Sequence, residues 1–461
     1  MSDTPYPRVR PGRPSSARPL APPAPWQADA LTTGQLAVGT ALAAVFAYQI
    51  SFNLLPDGIR IKLAALIAAC ILMVSVGSLF LRPQLWRLLT AATLLGVGLC
   101  WLLSEGLGVG QFELMPAVRF MLPLWFGIWL LEYRAALRPR WVLAMCIGVL
   151  LFALAWVALH PQEFVNNLMR FSPFTGGEDG AHASAYLVAL CALAVHQLRL
   201  NGEISGQFAW SLLAIAAVLL IGLRVATPIF MLINYGLVHV LLTRRLSSLQ
   251  KAGIWLLMVL GIVAVLVWHE ALQIAAGGST GHIENLGSGR IGTWLHRIEL
   301  LGQRDLLTLL VGTGPGSDVF TSPIWWWEGK DSHNDLLMLT IEIGLLGLSL
   351  WLACVYFLLR GLGRGGLPLA WFFLSGALIS NALVGRPYLA CLFWISVALA
   401  GQRRDLHLWR VRRRRQRRRL RPSPGPDGPG GGTPSRRAPP HPAAAHASGR
   451  RVTARMRPRL D

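Results

Sequence analysis

The stretch "DSHNDLLMLTIEIGLLGL", residues 331–348, opens as a polar tetrad and closes as hydrocarbon. His333 and Asn334 stand where an apolar helix starts, and Glu342 interrupts that helix about two turns in. A charge at that depth costs on the order of 3 kcal/mol on insertion scales. Asp335 falls on nearly the same helical face as Glu342, so the pair predicts a polar seam turned toward the inside of a helix bundle. Glu342 reads as structural support, orienting an arginine, and Gly344 and Gly347 fit close packing of helices. His333 could do no more than join Ser332 in capping the segment, so its surroundings decide its role.

Those surroundings are greasy throughout. Hydrophobic residues make up 53% of the chain and charged ones 14%, with a mean hydropathy of +0.48. A soluble domain carries about a quarter charged residues, so the composition predicts an all-α, polytopic membrane protein. The net charge of +21 does not point to nucleic acid, because much of it lies in the tails. The run "RVRRRRQRRRLR" (410–421) directly follows the last apolar segment, where basic residues hold a cytoplasmic end and meet anionic membrane lipid. The six cysteines all fall inside apolar segments and read as small core residues. Residues 1–30 are expected to be a disordered cytoplasmic arm, 31–402 the transmembrane domain, and 403–461 a basic disordered cytoplasmic tail.

About twelve apolar segments follow one another, the last three at 334–358, 367–384 and 387–401. Alternate connections carry the arginines, among them Arg134, Arg138 and Arg140, then Arg244 and Arg245, then Arg360 and Arg364. Positive-inside therefore places both termini in the cytoplasm. One outward connection is long: residues 270–333, between the ninth and tenth segments. Ordered loops of that length are uncommon and are often functional. Within it Ile291, Trp294, Leu295, Ile298 and Leu301 recur at helical spacing, which predicts a helix on the outer membrane surface, and the triplet Trp325–Trp327 suits the interface.

On this topology several arginines collect on the outer side: Arg224 in a tight turn, Arg290 in the long loop, and Arg60, Arg119 and Arg386 at outer edges. Positive-inside makes arginine least expected there. A helix-end anchor explains any one of them. An anionic ligand explains the group, since arginine offers a permanent charge and a planar fork fitted to phosphate oxygens. The "GTGPG" at 312–316 has no alternating strands and helices around it and reads as a turn that redirects the loop, not as a dinucleotide fingerprint.

Taken in order, these residues resemble the O-antigen ligase and polymerase superfamily, bacterial enzymes that transfer glycans from polyprenyl diphosphate carriers outside the inner membrane. The family's ligase motif is His followed by Asn, Ser or Gln, nine residues, and Gly-x-x-Gly. Here His333–Asn334 is followed by Asp335 to Ile343 and then by Gly344 to Gly347. Leu348 stands where the family usually has Thr or Val. "SGRIGTW" resembles the family's loop arginine followed by tryptophan, "GTGPGSDVF" its Gly-x-Gly segment. Arg224 holds the place of its arginine between two spans, with Leu-Arg-Val in place of Ser-Arg-Gly.

The resemblance implies a GT-C-like helical fold and an active site facing the periplasm. It also implies an undecaprenyl diphosphate-linked glycan as donor and lipid A core, or a carrier-linked glycan, as acceptor. Such a transfer must stabilise negative charge on the leaving diphosphate and remove a proton from the acceptor hydroxyl. The loop shows several arginines and no obvious carboxylate pair, so no metal or other cofactor is expected. Arg224 and Arg290 are expected to clamp the diphosphate and His333 to act as general base, with Arg60, Arg119, Arg386 and Asn334 as further diphosphate contacts. Inversion at the anomeric carbon follows from direct displacement. A polymerase joining carrier-linked repeat units needs the same donor chemistry. A transporter or flippase would show two related halves and charges near the midplane, and a lipid-binding scaffold would leave the outward arginines unexplained.

Overall fold

The computed structural model describes residues 33–51, 56–81, 84–111, 113–162, 173–174, 180–275, 290–319, 329, 331–381, 383–384 and 386–420. Among them there is helix and no strand. The helices are α1 (Thr33–Ser51), α2 (Asp57–Leu81), α3 (Leu85–Gly106), α4 (Leu114–Glu132), α5 (Pro139–Leu159), α6 (Gly180–Asn201) and α7 (Gly206–Leu223). Then follow α8 (Ala226–Thr243), α9 (Ser248–Ala275), α10 (Arg290–Gly302), α11 (Leu306–Val311), α12 (Asp335–Arg360), α13 (Leu367–Ile379) and α14 (Pro387–Leu420). Each of the twelve apolar segments falls on a helix, and seven helices are long and apolar enough to cross a membrane. The expected arm at 1–30, the Trp325–Trp327 triplet and the tail beyond 420 lie outside the described residues. Helix does not stop at the expected boundary of 402, since α14 continues to Leu420. The chain divides into two compact units, Met1–Leu408 and Trp409–Asp461, and the bundle belongs to the first.

The core gathers on α4, α6 and α14, where Phe126, Tyr186 and Trp394 have almost no exposed surface. The helices around them turn large apolar residues outward: Phe80 is 82% exposed, Ile221 69% and Trp210 59%. Water would penalise that surface and hydrocarbon would not, so the bundle has the inside-out polarity of a polytopic membrane protein. Arg87 is fully buried where α2 meets α3, and its cost is offset by bonds to the Ser78 carbonyl (3.2 Å) and hydroxyl (2.6 Å).

α12 is a broken helix. Gly344 has φ 65° and ψ −177°, which frees the carbonyls of the preceding turn. The "GTGPG" turn after α11 satisfies them: Thr313 N donates to Ile341 O and Gly314 N to Glu342 O, both at 3.0 Å. Irregular backbone at membrane depth is tolerated where protein supplies such partners. A Cβ on Gly344 would sit on the Leu310 carbonyl, so glycine is required both for the angle and for the close approach. The expectation of glycines that merely bring helices together is corrected at Gly344: the glycine breaks its helix to admit a loop. Gly347 packs against Ile343 one turn further on.

α10 corrects the expected apolar stripe. Leu295 and Ile298 are exposed, at 56% and 57%, as a surface helix requires. Trp294 instead turns inward and donates its indole N–H to Ser332 O at 2.7 Å. The helix docks by its polar face, with Thr293 and Arg297 buried.

Candidate functional site

Asn334 is the N-cap of α12, its side-chain oxygen accepting from Leu337 N at 3.0 Å. Its amide nitrogen donates to Leu378 O at 2.8 Å, so both ends of the side chain also hold the fold. With the cap supplied by Asn334, His333 is not needed for it. The histidine has φ 47°, and the other described non-glycine residue with positive φ is Arg224, at φ 55°. Each such backbone costs on the order of 1–3 kcal/mol, and strain of this kind collects where side chains must be aimed. Both residues were singled out from the sequence for chemistry.

His333 Nδ1 lies 2.9 Å from Asp331 Oδ1, and the His333 backbone N–H also reaches that oxygen, at 3.0 Å. Asp331 Oδ2 accepts from Asn381 Nδ2 at 2.9 Å. Burial alone would raise the Asp331 carboxyl, but the bonds and charge of His333 outweigh it and bring the pKa down to about 2. A firmly ionised Asp331 holds the Nδ1–H tautomer and leaves Nε2 free to accept a proton.

The turn between α13 and α14 gathers the rest. Arg290, first residue of α10, donates to Ile379 O at 3.2 Å. Tyr186 on α6 donates to Ser380 Oγ at 2.7 Å and is also bonded to Thr227, three residues beyond Arg224. The Arg386 guanidinium lies over the Tyr186 ring, 5.5 Å from its centre, and its buried Nε has no hydrogen-bond partner among the described residues. Burial lowers the pKa of Arg290, as does Arg386 beside it, while Tyr186 and Asp331 act the other way. Two neighbouring guanidiniums in a largely buried place, one with an N–H unsatisfied among the described residues, have the chemistry that an anion would complete.

The carboxylates correct the sequence reading. The long loop and the start of α12 bring Asp318, Asp331 and Glu342 near one another, and each is committed. Asp318 accepts from Ser332 N at 2.8 Å and faces the buried Arg297, Nε to Oδ1 3.5 Å. Burial raises the Asp318 carboxyl to about 6 against the pull of Ser332 and Arg297. Glu342 orients no arginine among the described residues; it accepts from Gly316 N at 2.9 Å and holds the glycine turn. Asp335, the other half of the seam, accepts from Leu383 N and Val384 N at 3.2 Å and holds the α13–α14 turn.

Arg60 lies in the first turn of α2 and Arg119 in the second turn of α4; their side chains lie outside what is described. The second turn of α2 and the first of α14 do meet, since Tyr388 donates to Ala64 O at 2.8 Å; its ring also lies tilted against Tyr48, centroids 4.0 Å apart. Asp331, Tyr186, Ser380 and Asn381 escaped sequence reasoning. Asp331 carried a signal, an acid two residues before a histidine, whereas Tyr186 sits 200 residues from Arg386 in an apolar segment without any. Compared with known proteins, the chain matches no family model and no curated sequence.

Proposed function

We propose that the protein is a membrane glycosyltransferase of the O-antigen ligase type, moving a glycan from a polyprenyl diphosphate to lipid A core. The reading puts it in the bacterial inner membrane, with twelve crossings, a GT-C-like arrangement and the His333 end in the periplasm. Charge supports that orientation: Arg134, Arg244 and Arg360 all fall at the opposite helix ends. The observation that carries the function is the His333–Asp331 pair set beside the Arg290–Arg386 cluster.

The acceptor hydroxyl attacks the anomeric carbon, His333 Nε2 takes its proton, and the C1–O bond to the diphosphate breaks with its electrons on the leaving oxygen. Arg290 and Arg386 meet that charge, and Arg224, three residues before the Thr227 that bonds Tyr186, is the third cation of the scheme. The attack comes opposite the leaving group, so the configuration inverts. Guanidinium carries the charge in this scheme because the nearby carboxylates are taken up by the fold. An apolar groove of about 380 Å³ between α2, α3 and α4, lined by Leu72, Leu95, Leu99 and Trp125, offers the polyprenyl chain a path.

The test is reconstitution with purified carrier-linked glycan, a divalent chelator present, and either lipid A core or a second carrier-linked glycan as acceptor. Transfer to lipid A core that survives chelation and disappears in His333→Ala and Arg290→Ala is expected. Chain growth on the carrier would make the protein a polymerase. Variants as active as wild type would overturn the mechanism.

A further inference from the structure

At the end of the bundle away from His333 lies an open cavity of about 230 Å³, lined by the start of α3, the ends of α4 and α12 and the middle of α14. Arg134, Arg360 and Arg404 line it together with Trp86 and Phe357. The three arginines are not equivalent. Arg134 is neutralised by Asp405, Nε to Oδ2 2.8 Å and Nη2 to Oδ1 3.2 Å, and its Nη1 caps the Leu131 carbonyl at 2.8 Å. Arg360 lies over the Phe357 ring, 5.2 Å from its centre, a contact that engages the guanidinium face and leaves its edge. Among the described residues neither Arg360 nor Arg404 is paired with a carboxylate. Glu132, the nearby acid on α4, is taken by Gln84 at 3.2 Å.

Two uncompensated guanidiniums on one cavity predict an anionic occupant, and the walls select its kind. Leu131, Leu358 and Leu362 make much of the lining apolar, which a free hydrated anion would not favour. The neighbouring helix surfaces are those that face hydrocarbon: Leu85 is 74% exposed and Tyr356 63%. Trp86, whose indole donates to Gln84 at 2.7 Å, is the residue type that marks the membrane–water boundary. A molecule that is both anionic and apolar, arriving sideways from the membrane, meets all three conditions.

We propose that this cavity holds the phosphate of an anionic phospholipid from the leaflet at that end, with Arg360 and Arg404 on the phosphate oxygens and the acyl chains passing Phe357 and Tyr356. Basic pockets between membrane helices suit such headgroups. The bound lipid ties the last turn of α12 to the middle of α14. The proposal is independent of the glycosyl-transfer reading, because it concerns different residues and needs only that the bundle sit in a membrane.

The test uses the full chain in a mild non-ionic detergent, with phosphatidylglycerol or phosphatidylcholine added, and reads retained lipid by native mass spectrometry and the shift in thermal unfolding. Wild type is expected to retain and be stabilised by phosphatidylglycerol over phosphatidylcholine. The double variant Arg360→Gln/Arg404→Gln is expected to lose that retention by roughly tenfold or more, as removal of two lipid-facing arginines implies. Arg244→Gln/Arg245→Gln, which removes the same charge at the end of α8, is expected to keep it. If the glutamine pair fails to fold, Arg360→Lys/Arg404→Lys serves instead, with intermediate retention expected from loss of the planar fork. Equal retention of the two lipids by wild type, or equal loss in the α8 control, overturns the proposal. Displacement of phosphatidylglycerol by millimolar inorganic phosphate, with equal stabilisation by phosphate alone, would make this a free-anion site and overturn the lipid assignment.

Discussion

His333 Nδ1 and Asp331 Oδ1 are 2.9 Å apart, and the second carboxylate oxygen of Asp331 is held by Asn381. One side of the imidazole is thus fixed by an acid that the α13–α14 turn itself positions. Asp331→Asn keeps the size and loses the charge, so the imidazole is no longer held in one tautomer. Transfer should fall by about 10²- to 10⁴-fold, in kcat far more than in donor KM. Initial rates over a range of donor concentrations check this, and an unchanged kcat would reduce Asp331 to a turn residue.

Arg386 rests on Tyr186, which is tied to Ser380 and Thr227. Arg386→Ala and Arg290→Ala should each lower transfer by roughly 10²- to 10³-fold, the usual loss when a donor to developing charge is removed. Arg386→Lys should rescue poorly, because lysine lacks the planar fork and the stacking. Tyr186→Phe keeps the ring beneath Arg386 and should cost less than either. The ordering of the four variants in one rate assay is the readout.

Glu342 and Gly344 hold one loop, the first just before the break in α12 and the second at it. Glu342→Gln retains an acceptor for Gly316 N–H and should stay near wild type in stability. Glu342→Ala strands that N–H and should cost about 1–3 kcal/mol. Gly344→Ala imposes left-handed strain of about 1–2 kcal/mol and displaces the Leu310 carbonyl besides. Thermal unfolding ranks the three, and proteolysis should nick Gly344→Ala first within 303–319.

Asp318 sets a pH dependence whose sign follows from its raised carboxyl, about 6 in the fold against an ordinary value of about 3.9. Between those values the folded chain binds more protons than the unfolded one, so stability falls as pH rises through the window. The cost, on the order of 3 kcal/mol, is complete above about pH 6 and absent below about pH 4. Asp331 acts in the opposite sense: its contribution is present above the ordinary carboxylate value and is lost only as pH falls through about 2. The difference in thermal midpoint between wild type and Asp318→Asn from pH 7 to pH 5 therefore reports Asp318, since every other titrating group is common to both. The midpoint should rise on acidification, and Asp318→Asn should flatten the rise.

The twelve apolar segments and the unusual place of His333 were legible in the residues themselves. Hydropathy is a sum over neighbours in the chain, and positive-inside reads charge next to segment ends, so both survive without knowledge of what touches what. Asp335 and Glu342 could likewise be placed on an inner face by helical period alone. What they hold could not, because a buried carboxylate takes whatever N–H the fold presents, and here those belong to Leu383 and Gly316.

Tertiary structure alone decided the rest. Gly344 looked like a packing glycine because sequence shows its size, while its left-handed angle depends on a loop arriving from Leu310 to Gly314. The stripe on α10 was read by periodicity, yet Trp294 carries one polar N–H, and the Ser332 carbonyl turned it inward. Arg386 and Tyr186 lie 200 residues apart, and no local pattern registers a cation over a ring. Local pattern determined which segments are helices and which ends are charged; long-range contacts decided which charges are free to act, since the partners that neutralise or orient them come from other helices.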